Sequence, residues 1–504
     1  MEKRTVLAIA LSLLVLMVWS SLLPKPKTIG NKGVIEEVVA TTSVTQEPLT
    51  PAAVQKVSSG TTFNFEQDKF VVNFNESAAA INEISFKEHQ GAKLKLLYGF
   101  LLDDPSIVFK KQGVAGDSVT FVHEDENKKI VKRFIFSKSS YDIWLEINFE
   151  NLSNQVLKFT PTLYLAAIDF SVKNRESNFQ DIAICTIEKT QHIAPRKNLE
   201  FADLKFLGMR DRYFCAILDS QKQSSSGFIK KLSPELSEAG LKSAEIVLAP
   251  GSQIGQKYHI YIGPQIVKTI DRINPQWTAI INYGTFDFIS QILLQLLEFI
   301  YRVVHSWGWS IIILSIVVYL VLYPLTMKQM RSMKEMQAIQ PLVEALRNTY
   351  KDNPKKLNEE IMKLYKEHKV NPFGGCLPLL LQMPVFFALY QALMRSVALK
   401  GAEFLWIKDL SAPDKLFTLP RSFPVIGNEF NILPIIMAIE MFVQQKFTTG
   451  SASTGSKEQQ KMMMILMPLM FGFIFYRMPS GLVLYWFVNS SLMLVNQIRV
   501  SKSK

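Results

Sequence analysis

NPFGGCLPLLLQMPVFFALY, residues 371–390, decides how this chain is read. Beyond its first few residues it is almost wholly apolar, yet it carries Pro372, Pro378 and Pro384, the pair Gly374 and Gly375, and Gln382. In a water-soluble helix each interior proline costs about 3 kcal/mol, because it removes a backbone donor and its ring strikes the preceding turn. In a membrane-spanning helix such breaks are tolerated where neighbouring helices or a wet cavity satisfy the freed backbone. Extended to Met394, the stretch predicts a span that faces protein or water as well as lipid.

Other apolar runs stand on both sides of it. Trp309 to Thr326 ends in Tyr323-Pro324, Ile432 to Phe447 contains Glu440, Met462 to Tyr476 is short, and Leu482 to Ile498 carries Asn489, Ser490, Ser491 and Asn496. At the other end of the chain Lys3 and Arg4 precede Thr5 to Leu23, 19 residues without a charge, long enough for a hydrocarbon core of ~30 Å. Residues 1–23 are expected to be an uncleaved membrane anchor, the alternative being a cleaved signal peptide. Six spans result. An even number places both termini on one side, and Lys3, Arg4, Arg499, Lys502 and Lys504 place that side in the cytoplasm. Spans of fifteen residues reach only ~23 Å, so the bilayer must thin or the flanks must snorkel. Snorkelling also accounts for Arg395 and Arg477 at span ends. Gln382, Ser315, Asn489 and Ser490 then suggest either helix-to-helix hydrogen bonds or a hydrophilic cavity shared by several helices.

Between the second and third spans, residues 327–371 hold ten lysines and arginines against six acidic residues, a formal balance of +4 that favours the cytoplasm. Met327, Met330, Met333, Met336, Ile339 and Leu346 form one stripe at helical spacing, and Leu357, Ile361, Leu364 and Tyr365 form another after Asn353-Pro354. The pattern predicts two antiparallel helices, a cytoplasmic hairpin. Its methionines serve either as an adaptable surface for apolar clients or as the packing between the two helices.

The region before the second span differs in kind. Residues 24–60 are rich in Thr, Val, Pro and Ser and predict a flexible tether. Residues 61–265 then show period-two alternation, as in Phe63, Phe65, Phe70, Val72 and Phe74 and in KKIVKRFIFSKSSYDIWLEINFEN at 128–151. Many such runs separated by polar turns predict a large antiparallel β-sandwich, outside the cytoplasm because the anchor delivers it there. Residues 281–306 carry apolar positions at helical spacing interspersed with Asp287, Gln291, Gln295, Glu298 and Arg302. They suit an amphipathic helix in the membrane interface, or one packed on the sandwich.

Composition narrows the chemistry. The excess of 56 Lys and Arg over 44 Asp and Glu lies largely beside hydrophobic spans, so the positive-inside rule explains it better than nucleic-acid binding. Cys185, Cys215 and Cys376 and six scattered histidines show no metal-ligand spacing. Cys185 and Cys215 either pair or remain separate buried thiols. GSASTGSK at 450–457 lacks the adjacent Gly-Lys of a phosphate loop and follows no strand. There is no HExxH, and no serine in a span has a histidine partner. The chain is read as a non-enzyme without metal or cofactor.

Together with the opening stretch, YPLT at 323–326, LWIKDLSAPD at 405–414 and PSGLVLYW at 479–486 closely resemble the bacterial YidC membrane-protein insertases over roughly residues 281–498. The resemblance implies a membrane α-helical bundle of six spans with a five-helix insertase core at 307–498. To this it adds a large periplasmic β-sandwich, the cytoplasmic hairpin and a short basic tail at 499–504. It implies insertion and folding of inner-membrane proteins through a hydrated groove, without nucleotide hydrolysis. Partners would be nascent membrane proteins, the lipid bilayer, the Sec translocon and the ribosome, although the long basic tail that some members offer to ribosomes is missing. Carried over by position, the groove residues are Ser315, Tyr319, Gln382, Tyr485 and Trp486. The face along which an apolar client segment slides is Met383, Phe386, Met470 and Phe473, and Met330, Met333 and Met336 are the hairpin's client surface. One departure stands out: bacterial members usually carry an arginine where this chain has Tyr319. Two other readings are a secondary transporter built on Glu440 and, for the sandwich alone, a carbohydrate-binding module.

Overall fold

The structure is a computed structural model that describes residues 60–104, 107–169, 179–194, 198–221, 225–351, 353–368, 370, 377–423, 427–448 and 457–502. The predicted anchor at 1–23, all but the last residue of the tether and the Pro372 to Cys376 part of the opening stretch lie outside the described residues.

Alternation of apolar and polar side chains drives the first half into sheets. A nine-stranded antiparallel sheet runs in the order Thr190–Ile193, Asp181–Thr186, Leu204–Arg210, Phe214–Asp219, Gln253–Pro264, Asp142–Asn151, Lys128–Phe136, Ser118–Glu124 and Lys110–Ala115. Two four-stranded sheets cover it. One comprises Thr62–Glu66, Phe70–Asn75, Ala80–Phe86 and Ala92–Gly99; the other comprises Thr162–Asp169, Leu236–Ser243, Ser225–Lys231 and Leu199–Phe201. The backbone N–H of Phe100 donates to the Tyr164 carbonyl at 2.7 Å and joins the two. Aromatic rings fill the space between the layers: Phe74 meets Phe134 edge-on at 5.2 Å, and Phe86 stacks on Phe214 at 4.2 Å. Such pairs add about 0.5–1.5 kcal/mol each beyond their burial. Cys185 and Cys215 are separate buried thiols, on strands with Leu204–Arg210 between them.

One inward position breaks the apolar rule. In Lys128–Phe136 the inner residues are Ile130, Lys132, Phe134 and Phe136, so the period that buries three hydrophobic side chains also buries a lysine. Its amine, 0% exposed, donates to the carbonyls of Ala79, at 2.7 Å, and of Phe100. Both of those residues have positive φ, 45° and 62°.

Nine α-helices are described after the sandwich: α1 Val267–Ile273, α2 Asp287–Val304, α3 Trp307–Ala338, α4 Gln340–Thr349, α5 Pro354–Glu367, α6 Leu377–Arg395, α7 Leu433–Thr448, α8 Lys457–Phe475 and α9 Ser480–Lys502. Among the described residues two helical segments, Trp307–Met336 and Ser480–Arg499, are long and apolar enough to cross a membrane, with Met464–Phe475 a shorter apolar stretch. Helix α7, at 16 residues, rises ~24 Å. The shared core contains Leu297, Ile311, Leu314, Leu389, Met437, Leu482 and Tyr485. Helix α2 turns Leu293, Leu297 and Ile300 inward and leaves Phe288, Phe299 and Val303 exposed. It packs on α6, where the Ser290 hydroxyl donates to the Ala388 carbonyl at 2.9 Å.

Helix α3 continues through Pro324 to Ala338 as one helix of 32 residues, so the second predicted span and the start of the hairpin share a helix. The residues after the proline are good helix formers, and a proline in a long helix removes one hydrogen bond without ending it when both flanks are strongly helical. The hairpin's first arm is therefore this extension followed by the short α4, which restarts at Gln340 with Pro341 in its first turn. Met336, Ile339 and Val343 on that arm pack against Ile361, Tyr365 and Val370. Of the stripe, Met336 and Ile339 are buried in this core and Leu346 packs against it.

Candidate substrate groove

The last helix supplies most of the polar groups. On α9, Tyr485 and Asn489 share one face at a spacing of four residues, and Trp486 and Ser490 share the next. Tyr485 is fully buried, yet its hydroxyl oxygen accepts from the Gln382 amide at 2.8 Å and from the Asn489 amide at 3.3 Å. A phenol offers one hydrogen and two lone pairs. With both lone pairs engaged, the Tyr485 hydrogen has no acceptor among the described residues. This contact ties α6 to α9, and Gln382 reaches it from two residues before Pro384.

The remaining predicted residues divide. Ser315 is buried on α3 but donates to the Ile311 carbonyl one turn back at 2.7 Å, so its hydrogen is spent within its own helix. Tyr319 is buried on the same helix; its hydroxyl lies beside Asn496 and makes no hydrogen bond of ordinary geometry with any described residue. Trp486 leaves the polar set. Its ring lies in an aromatic cluster with Phe386 at 5.1 Å, Phe475 at 5.4 Å and Phe471 at 6.0 Å, and its buried indole nitrogen has no partner among the described residues.

That cluster also corrects Phe386, expected on an outer sliding face. The ring is buried at the seam of α6, α8 and α9, where an aromatic side chain removes more apolar surface from water than at an exposed site. Met470 and Phe473 are exposed on α8, and Met383 is half-buried on α6. On the hairpin, Met336 is buried in its core. Met330 stands at its base, where the Asn496 amide lies 3.4 Å from its sulfur and 3.3 Å from that of Met327. The side chain of Met333 lies outside the described residues.

Glu440, on α7, faces the groove helix α9. Its Oε2 is 2.5 Å from the Ser490 hydroxyl, while its buried Oε1 has no hydrogen-bond partner among the described residues. The Arg395 guanidinium lies over the Phe179 ring of the sandwich side at 5.4 Å. Among the described residues no group of three or more His, Cys, Asp or Glu is placed to hold a metal ion.

The segment LWIKDLSAPD fastens the starts of α7 and α9. Asp414 accepts from the backbone N–H groups of Ile432 and Leu433, both at 2.9 Å, and so caps the start of α7. The Ser480 hydroxyl donates to the Asp409 carbonyl at 3.0 Å, and the N–H of Gly481 to the Leu410 carbonyl at 2.9 Å, fastening the start of α9. A Cβ on Gly481 would stand 3.1 Å from that same Leu410 carbonyl oxygen, which explains the glycine. Sequence reasoning named most of the polar residues of the site but gave no signal for this fastening, because each of its bonds uses a backbone group.

Comparison with known proteins places this architecture. Residues 299–504 match the family model described as 60Kd inner membrane protein, and residues 104–296 match the YidC periplasmic domain. A membrane protein insertase YidC from Pelobacter propionicus is 32% identical over an alignment covering 100% of this chain and 99% of the relative. Another, from Syntrophobacter fumaroxidans, is 36% identical, covering 74% of this chain and 68% of the relative. A crystal structure of an active YidC insertase with its first transmembrane domain resolved is 20% identical, with a TM-score of 0.41, covering 90% of this chain and 96% of that one. By its full-length similarity to such relatives, this chain belongs to the family of YidC membrane-protein insertases.

Proposed function

We propose that the chain, an inner-membrane insertase with a periplasmic domain, works by lending hydrogen-bonding groups to a client's polar segment in the groove between α3, α6 and α9. The observation that carries this reading is the buried Gln382–Tyr485–Asn489 set, with its uncommitted phenol hydrogen. A polar group moved into an apolar medium without a partner costs several kcal/mol. A groove that offers donors and acceptors at that depth lowers the barrier, and burial of the client's apolar segment in lipid drives the reaction. Met383, Met470 and Phe473 give that segment a greasy path out of the groove.

In this reading the chain crosses the membrane six times, with both termini and the hairpin in the cytoplasm and the sandwich in the periplasm. Residues 1–23 anchor it, 24–60 tether the sandwich at 61–265, the helix within 281–306 lies in the interface, and 307–498 form the core. The hairpin at 327–371 receives nascent chains from the ribosome, and the core works alone or beside the Sec translocon. Family membership leaves the secondary-transporter reading of Glu440 without support.

The test is reconstitution of the purified chain into liposomes with a small single-span coat protein as client. Insertion without added nucleotide, lost in a Gln382→Ala, Tyr485→Phe double variant, supports the reading. Equal insertion by that variant would refute it.

A further inference from the structure

Between α6 and α7 the chain makes a sharp turn that carries apolar side chains at its tip. Phe404 and Ile407 exchange both backbone hydrogen bonds: the N–H of Phe404 donates to the Ile407 carbonyl at 2.8 Å, and the N–H of Ile407 to the Phe404 carbonyl at 2.9 Å. Leu405 and Trp406 are therefore the two residues of a minimal loop. Leu405 has a φ of 55°. Such positions favour Gly, Asn or Asp, because a larger side chain strains the left-handed backbone. Here the residue is a leucine, and it is 74% exposed. Trp406 is exposed beside it, and its indole N–H donates at 3.2 Å to the carboxylate of Asp414, the group that caps α7.

The turn is pinned to the start of α3. The buried Phe404 ring lies against the backbone of Gly308, where a Cβ would overlap it, and Trp309 meets that ring edge-on at 5.7 Å. Trp309 begins a helix long and apolar enough to cross a membrane, and it is 52% exposed. Trp307 stacks on Tyr301 of α2 at 3.9 Å, and the neighbouring Phe299 and Val303 of α2 are exposed. Exposed apolar residues of α2, of the start of α3 and of the turn are thus brought to one place. It lies beside the sandwich, since the Tyr213 hydroxyl donates to the Ser411 hydroxyl at 3.1 Å and the Gln90 amide to the Gly401 carbonyl at 3.4 Å. Tryptophan with an apolar ring and a satisfied N–H suits the boundary between headgroups and hydrocarbon.

We propose that this turn is a membrane contact: Leu405 and Trp406 enter the leaflet on the sandwich side and pack among its acyl chains. Glu403 and Lys408, both exposed, bracket the turn and remain with the headgroups. Burial in hydrocarbon offsets what strain and exposure cost a leucine in water. Two backbone bonds and Asp414 already hold the turn, so covering it with lipid requires little further ordering. Through Asp414 the contact ties the start of α7 to the membrane surface.

The experiment uses the full chain in vesicles of phosphatidylcholine and phosphatidylglycerol, in a Cys185→Ser, Cys376→Ser background where the sealed Cys215 takes no label. A nitroxide is attached at Leu405→Cys, at Leu469→Cys on the exposed apolar face of α8, or at Val114→Cys on the exposed strand Lys110–Ala115. Spin resonance then compares its collisions with oxygen, which concentrates in lipid, and with a nickel chelate confined to water and present on both sides of the vesicle. Oxygen collisions are expected to dominate at 405 and 469, and nickel collisions at 114. A label at 405 that meets nickel as readily as the one at 114 overturns the proposal. A label at 405 shielded from both reagents also overturns it, and sharpening of its spectrum on dilution with unlabelled chains would identify a second copy as the occupant. If Leu405→Cys does not fold, quenching by lipids brominated near the headgroup decides. Trp406→Phe should then remove part of the quenchable tryptophan fluorescence, and no loss overturns the proposal.

Discussion

The Gln382 amide and the Tyr485 hydroxyl, 2.8 Å apart, join α6 to α9 inside the bundle. Replacing Tyr485 with Phe keeps the ring and removes the atom on which two amides converge. Each amide left buried without a partner costs about 1–3 kcal/mol. Tyr485→Phe is expected to lower the thermal unfolding midpoint in detergent and to slow insertion. Gln382→Leu should slow insertion with a smaller loss of stability, since Asn489 still pairs with the phenol. Calorimetry together with liposome insertion measures both.

Tyr319 stands where the family usually has an arginine. A phenol can hydrate a polar segment, but it stays neutral and cannot attract a carboxylate as a guanidinium does. Tyr319→Phe is expected to weaken insertion modestly for every client. The Arg395→Gln, Arg477→Gln double variant should not discriminate against clients with acidic translocated segments, because Arg395 is held over Phe179 and away from the groove. A selective loss of acidic clients, at unchanged protein level, would mean that a displaced cation does the arginine's work.

The hairpin can lose its tip without losing its core. Met336, Ile339, Val343, Ile361, Tyr365 and Val370 pack below residues 348–356. Deleting 348–356 is expected to impair insertion of nascent clients while leaving the unfolding midpoint of the rest unchanged. Normal insertion by the deletion variant would remove the hairpin from the client path.

Lys132 makes the stability of the sandwich rise with pH above neutrality. Burial pulls its amine down from 10.5 to about 7. Between those values the unfolded chain binds the proton and the folded chain does not, so this group's contribution to stability rises with pH across that window. Below about pH 7 the full cost of burying the charge is present. Denaturation of the full chain is expected to show stability rising from about pH 7 towards 10.5, relative to Lys132→Met measured alongside. Parallel curves for the two proteins would show that Lys132 does not titrate there.

The strands were legible because burial of one sheet face imposes period two, and Phe63, Phe65, Phe70, Val72 and Phe74 carry that period in the open. The same phase places Lys132 inside, but a lysine scores as polar, and the carbonyls that receive it come from residues far away in sequence. Gln382 could be named from a span too polar for lipid, and Tyr485 only from the family resemblance. That they touch could not be read, since α6 and α9 are brought together by loops whose bonds are made by backbone. That one helix would carry both the second span and the start of the hairpin was not read, because Pro324 looked like a stop.

The two thiols of the sandwich have a practical consequence. Nothing covalent holds this domain closed, so its refolding needs no oxidant and shuffles no bonds. Cys215 is wholly sealed, and burial pushes its thiol well above the ordinary range. A thiol-reactive dye can reach it only when the central strands part. In a Cys185→Ser, Cys376→Ser background, the labelling rate of Cys215 becomes a clock for how often the sandwich opens, readable while the membrane half of the same molecule is at work.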